Sequence, residues 1–341
     1  MQSRTARAAP APLTTPILHS LALRTRLLRT PSLRTLRLLA APLLVCSLIT
    51  LLVTAGCGDD TPGRQQEVAF TLTDDIGRNV RFDSIPRRIV SLAPSLTEML
   101  FAVGAGNAVV GVTQSCNHPA AARALPEVGD LLNPDAERVL SLQPDLVLIS
   151  VEGNTQSSFE ALERVGLRLF VSNPRTLEGV LESLIDLGRI TGHADHAQHL
   201  ADSLRGIAGA LRSTAFAPPP GVLVLISTQP LMAAGSKTFI NEIIELAGGR
   251  NSAAAAPGNY PTLNRETVLR MNPDLIIFPD DMHVQREGLM ERFPEWRHVR
   301  AVQDGRLHAV DADVFLRPGP RAFLAARHLR TLISGTDATT P

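Results

Sequence analysis

Aromatic side chains are scarce in this 341-residue chain. They make up 4% of it, with one Trp and one Tyr. A ligand site walled by stacked rings has little to build with. Three cysteines are too few for a disulfide framework. Net charge is absent, with 33 basic and 33 acidic residues. Catalytic signatures are missing too: no Gly-x-Ser-x-Gly elbow, P-loop or His-Glu-x-x-His occurs. Gly104-Ala105-Gly106 follows a helical stretch instead of opening one after a strand, so it does not read as a dinucleotide fingerprint. With no catalytic constellation, the chain reads as a non-enzyme. What is present is ordinary globular material, 44% hydrophobic and 19% charged, and long enough for two domains.

The charge balance hides an uneven distribution. No Asp or Glu precedes Asp59, while Arg4, Arg7, Arg24, Arg26, Arg29, Arg34 and Arg37 all do. The uncharged run Leu38 to Gly56 follows. A basic start, an apolar middle and small residues at the end mark a secretory signal. The run closes on Thr54-Ala55-Gly56-Cys57, which resembles a bacterial lipobox with Thr54 in the place usually held by Leu. Cys57 is the expected lipid-bearing residue. Nineteen apolar residues could also just span a bilayer, but Ala-Gly-Cys at the expected cut favours cleavage. Removing the leader before Cys57 leaves 33 − 7 = 26 basic residues against 33 acidic ones, a net charge of about −7. That balance disfavours nucleic-acid binding. Cys46 leaves with the leader, so Cys116 has no partner for an internal disulfide.

Residues 58–67 read as a polar tether. Val68 to Leu72 and Val80 to Phe82 alternate like strands around the turn Asp74-Asp75-Ile76-Gly77. Arg88 to Leu92 is a short buried strand. Ser95-Leu-Thr-Glu98 has the spacing of a capping box, with Ser95 as cap and Glu98 at the third helical position. That helix ends near Val103, before Gly104 and Gly106. Strands at Val109 to Thr113, Leu146 to Ser150 and Leu167 to Val171 bracket a helix near Phe159 to Val165. Residues 176–212 are helical with a break near Gly188 to Gly192. The second piece carries Leu200, Leu204, Ile207 and Leu211 on one stripe. After Ala217-Pro-Pro-Pro-Gly221 the pattern restarts with strands Val222 to Ile226, Leu275 to Phe278 and Leu307 to Val310, and helices Phe239 to Leu246 and Arg321 to Leu332. Strands alternating with helices predict α/β layers around parallel sheets.

An internal echo predicts two similar lobes. Glu137-Arg-Val-Leu-Ser-Leu-Gln-Pro-Asp145-Leu-Val-Leu-Ile returns 129 residues later as Glu266-Thr-Val-Leu-Arg-Met-Asn-Pro-Asp274-Leu-Ile-Ile-Phe. Each copy reads as a short helix, a Pro-Asp turn and a buried strand.

The motifs Thr73 to Val80, Arg88 to Glu98, Val110-Gly-Val-Thr113, Leu142-Gln-Pro-Asp-Leu-Val147 and Arg317-Pro-Gly-Pro-Arg321, in this order behind a lipoprotein leader, resemble a bacterial solute-binding protein of the vitamin B12 and iron-siderophore class. The resemblance covers nearly all of 68–335. It implies two Rossmann-like α/β lobes, 68–192 and 215–337, joined by one long rigid helix at 193–214. It also implies an ABC permease dimer with its ATPase as partner, a small-molecule metal chelate as ligand and a lipid anchor in the cell envelope. No resident cofactor is implied, since the cobalt corrinoid or iron chelate is cargo, and a monomer is expected. Cobalamin is the first choice of ligand, with ferric siderophore or haem next and a non-transport sensor or metallochaperone as the alternative role.

In that class one exposed Glu on each lobe docks onto permease arginines, and Glu137 and Glu266 fall at the matching positions. Two separated carboxylates set orientation and register against basic pockets. A solvated helix Glu explains either residue alone; the pairing across lobes favours docking. Ligands of open α/β sheets bind at the carboxyl ends of the strands. That rule marks Pro94-Ser95, Gln114 to His118, Met232 to Lys237, Asn259-Tyr260 and Asp313 to Arg317. Tyr260 and Asp313 match cleft positions of the B12-binding relatives, and Ser115 stands where such relatives place an aromatic. Arg317 can pair with a carboxylate or amide oxygen or serve as a structural salt bridge. Cys116 and His118 could meet a cobalt or iron ion axially, but an inert buried thiol beside a turn histidine is the favoured reading. His193, His196 and His199 recur every three residues and read as a solvated helix face. No protein-held metal site is expected.

Overall fold

The computed structural model describes residues 69–213, 216–280 and 286–335. The leader, Cys57 and the tether lie outside them. The described residues open with an antiparallel hairpin, β1 (Phe70–Thr73) and β2 (Asn79–Phe82), turned at Gly77. The first lobe then runs β3 (Ile89–Ser91), α1 (Pro94–Ala102), β4 (Val109–Val112), α2 (Ala136–Ser141), β5 (Leu146–Ile149), α3 (Gln156–Arg164) and β6 (Leu169–Val171). Its four strands are all parallel, in the order β4-β3-β5-β6. Helices α4 (Leu177–Thr191) and α5 (Ala194–Arg212) follow. The second lobe holds β7 (Gly221–Thr228), β8 (Leu231–Ala233), α6 (Phe239–Leu246), β9 (Arg250–Asn251), α7 (Arg265–Met271), β10 (Leu275–Pro279), α8 (Arg286–Arg292), α9 (Arg300–Gln303), β11 (Leu307–Val310), α10 (Ala312–Phe315) and α11 (Ala322–Ser334). Its sheet is ordered β11-β10-β7-β8, with β9 parallel to the start of β7 and β8 antiparallel to its end.

Strands β5, β6 and β10 are apolar and buried along their whole length because both faces are covered. Val222 and Val224 point into one core while Leu223 and Leu225 point into another. In the first lobe, Leu146 and Leu148 part from Val147 and Ile149 in the same way. The inner faces of the two sheets share one cluster, continuous through α1, α4, α5, α6 and α11. Such a core resists hinge bending, because opening it would expose apolar surface. Glu242 adds to this by accepting the Leu177 N–H at 2.6 Å, tying α6 of the second lobe to the start of α4.

The connecting segment breaks where the left-handed Gly192 (φ 75°) ends α4 and α5 begins two residues on. Gly188 does not break the helix. Instead it lets α5 approach, since a Cβ there would lie 2.3 Å from the Ala197 Cβ. Among the described residues no helix is long and apolar enough to cross a membrane.

The echo appears in three dimensions. Helices α2 and α7 are capped by Asp135 and Asn264, which accept backbone N–H groups of the first turn. Each ends at a left-handed residue, Gln143 (φ 47°) and Asn272 (φ 41°). Each Pro-Asp then pins the start of a central strand. Asp145 accepts the N–H groups of Arg87 and Arg88 at 2.8 and 3.0 Å, and Asp274 accepts that of Gly221 at 2.7 Å.

One local expectation fails. Pro94 occupies the first position of α1 and the cap is Ala93, whose side chain caps nothing. Pro suits that position because it has no N–H to satisfy. The shift places Ser95 inside the helix, so the Ser95–Glu98 capping box does not form.

Candidate functional site

The carboxyl ends of β3, β4 and β11 bring three loops together where the lobes meet. From β3 comes the start of α1, with Ser95 and Glu98 both buried. From β4 comes the loop Thr113 to His118. From β11 comes Asp311 to Arg321, which contains α10. Gly319 sits directly against Ser95, the Ser95 Cβ lying 3.9 Å from where a Gly319 Cβ would be.

Glu98 is the centre of this seam. Its carboxylate accepts two hydrogen bonds from Arg321, from Nε at 2.8 Å and Nη2 at 2.6 Å, and one from Arg317 Nη1 at 3.2 Å. The Glu98 side chain is 3% exposed, against 15% and 19% for Arg317 and Arg321. Burial works against the Arg321 cation, but the hydrogen bonds and charge of Glu98 prevail and hold its pKa above the usual value. Arg317 has further acceptors in Asn117 Oδ1 at 2.8 Å, the Ser115 carbonyl at 3.1 Å and the Asp313 carboxylate. Asn117 Nδ2 in turn donates to Asp313 at 2.5 Å. Both terminal nitrogens of Arg317 are thus engaged twice, and Asp313 is held by Arg317 and Asn117. A solute acceptor would reach the Arg317 terminal nitrogens only by displacing one of these groups.

The remaining predicted residues lie around this seam. Cys116 is 3% exposed, its sulfur 3.1 Å from the Thr97 hydroxyl and 3.2 Å from that of Thr113. His118 is exposed. His196 and His199 are exposed on α5, and among the described residues no group of three or more His, Cys, Asp or Glu is placed to hold a metal ion. Tyr260 is half-buried in the second lobe and interacts with Glu152 and Arg175 of the first. Burial, then the Glu152 charge, push its phenol up to about 12 against the opposing pull of Arg175. Gly235 lets the segment before Lys237 run beside Asn259-Tyr260, because a Cβ there would lie 2.5 Å from the Gly258 carbonyl. Its N–H donates to the Asn259 carbonyl at 2.7 Å.

A cavity of about 740 Å³ opens beside the carboxyl end of β6, lined by residues including Val151, Ser172, Asn173, Arg175 and Asp186. Its volume lies within the usual range for small-molecule sites. Burial pushes the Asp186 carboxyl up, Arg189 opposes, and the charges of Asp75 and Glu182 add to the rise. Glu137 and Glu266 lie apart from the seam, exposed in the first turns of α2 and α7. Sequence reasoning missed Glu98, Glu152 and Arg175 as site residues, while Asn117 lies within the marked loop Gln114 to His118. Glu98 did carry a signal: it is the one charged residue in the apolar stretch from Ile89 to Val112.

Comparison with known proteins agrees with this architecture. The family model described as periplasmic binding protein matches residues 89–314. A vitamin B12-binding protein of Photorhabdus laumondii is 31% identical over 245 residues, spanning 72% of this chain and 86% of the relative. An uncharacterized ABC transporter substrate-binding lipoprotein, YvrC of Bacillus subtilis, is 30% identical over 290 residues, spanning 80% and 90%. The apo structure of the periplasmic heme-binding protein RhuT from Roseiflexus sp. RS-1 superposes with a TM-score of 0.67 at 27% identity, spanning 73% of this chain and 98% of that one. Two α/β lobes, loops that converge at the strand ends and these matches have one reading: the chain belongs to the periplasmic binding protein family, whose role is non-enzymatic binding of a transported solute.

Proposed function

We propose that this protein is the substrate-binding lipoprotein of an ABC importer, anchored through Cys57, acting as a monomer and delivering a metal chelate to a permease dimer with its ATPase. The observation that carries the importer role is the paired placement of Glu137 and Glu266. Each sits exposed in the first turn of a short, side-chain-capped helix, and the two helices occupy equivalent places in the two lobes. A first-turn Glu is favourable to its own helix. Equivalence across lobes adds a two-point carboxylate pattern suited to basic pockets.

Cobalamin is the preferred cargo, supported by the B12-binding name of the P. laumondii relative. Tyr260, half-buried in the second lobe, offers a ring face for stacking and a phenol for hydrogen bonding to a corrin. Haem is the second reading, favoured by the likeness to RhuT, with ferric siderophore beside it. Ser95, Ser115, Cys116, Tyr260, Asp313 and Arg317 border the proposed solute site.

Calorimetric titration of the mature chain with cyanocobalamin, haem and ferric siderophores tests the cargo. Heat of binding with cyanocobalamin is expected, and silence across the whole panel sinks chelate capture. Glu137→Arg with Glu266→Arg should leave that binding intact while abolishing uptake in cells. Uptake that persists removes the docking role.

A further inference from the structure

The Glu98 cluster does something that solute capture alone does not require. Its acceptors and donors come from opposite lobes. Glu98, Ser115 and Asn117 belong to the first, and Asp313, Arg317 and Arg321 to the second. The guanidinium of Arg321 meets the Glu98 carboxylate as a two-pronged fork, a geometry that fixes direction as well as distance. The carboxylate is almost wholly withdrawn from solvent, so separating it from its arginines would leave an uncompensated buried charge.

We infer that Glu98, through Arg321 and Arg317, is a strut that sets the width of the interlobe cleft before any solute arrives. Glu98 is a positioning residue in this scheme: it touches no solute and acts through the two arginines. A pre-set cleft selects solutes by fit and does not need them to draw the lobes together. It also keeps the distance between α2 and α7, and so between Glu137 and Glu266, the same with and without cargo. The last consequence rests on the docking reading. The strut itself does not.

The test uses the solute-free mature chain, so failure to find a cargo leaves it untouched. Small-angle scattering should give a wider distribution of interatomic distances for Glu98→Gln than for the parent. Arg321→Lys, which keeps the charge but loses the fork, should fall between them. Amide hydrogen exchange supplies a readout that general destabilisation would not reproduce. The Asn117 and Leu177 amides, whose bonds lie at the seam and at the α4–α6 tie, should exchange on the order of a hundredfold faster in Glu98→Gln, the fold-change expected from breaking a buried ion pair. Val147, hydrogen-bonded inside the first sheet to the Arg168 carbonyl, should be unchanged. If Glu98→Gln does not fold, Arg321→Lys carries the same comparison. Unchanged scattering in the variants overturns the strut, and so does faster exchange that includes Val147 equally.

Discussion

Replacing Asp274 by Asn separates the charge of the second Pro-Asp join from its shape. The carboxylate accepts the Gly221 N–H through Oδ2 at 2.7 Å and Arg300 Nη1 through Oδ1 at 2.8 Å. The side chain is 23% exposed and Arg300 is 60% exposed. A backbone hydrogen bond to a charged acceptor contributes roughly 1.5–3 kcal/mol, of which an amide oxygen would retain part. The Arg300 pair, open to solvent, adds at most about 1 kcal/mol. Asp274→Asn should therefore cost about 2 kcal/mol at neutral pH. Burial tends to raise the Asp274 pKa, but the Gly221 N–H and Arg300 outweigh it and lower the value. A carboxyl with a depressed folded-state pKa stabilises the fold above its unfolded pKa of about 3.9. It loses that contribution as pH falls through the folded value. Urea unfolding at a series of pH values, followed by fluorescence of the single Trp296, would measure the gap between parent and variant. The gap should be largest at neutral pH and close below pH ~4. A constant gap across that range, or none at pH 7, refutes the assignment of the stability to the charge.

Three further outcomes follow from particular contacts. Gln143→Gly should stabilise by up to about 1 kcal/mol because it relieves a left-handed non-glycine residue. The equivalent Asn272→Gly should destabilise, because the Asn272 side chain accepts the Arg300 N–H at 2.8 Å; denaturation midpoints of the same sign would contradict this. Phenolate absorbance reports Tyr260 alone, since it is the only Tyr. It should titrate well above an ordinary phenol, near 12, and Glu152→Gln should bring the midpoint down. Asp186 has a raised folded-state pKa, chiefly through burial, so its charged form weakens the fold above that value and the penalty fades as the group protonates. Asp186→Asn should raise the thermal midpoint at pH 7 and lose the gain in acid; a lower midpoint at pH 7 would show that the Arg189 pair dominates instead.

Much of the fold was legible because its causes are local. Strands buried on both faces show up as apolar runs, and the edges of β11 and of α6 fall where periodicity places them. The echo at 129 residues marked two equivalent lobes because each copy carries the same helix stop, Pro turn and carboxylate that pins the next strand. Short elements such as β8 and β9 went unread, since they are fixed by pairing with β7 and carry little pattern of their own.

The sequence alone determined the alternation of strands and helices, the two-lobe repeat and the positions of Glu137 and Glu266, because each copy's helix, turn and strand depend on neighbours within a few residues. Only the tertiary structure decided the role of Glu98. Locally it has the spacing of a helix-capping residue. Its partners Arg317 and Arg321 lie 219 and 223 residues away, and a buried carboxylate takes the charged donors that folding brings to it over a cap that Pro94 has already made unnecessary.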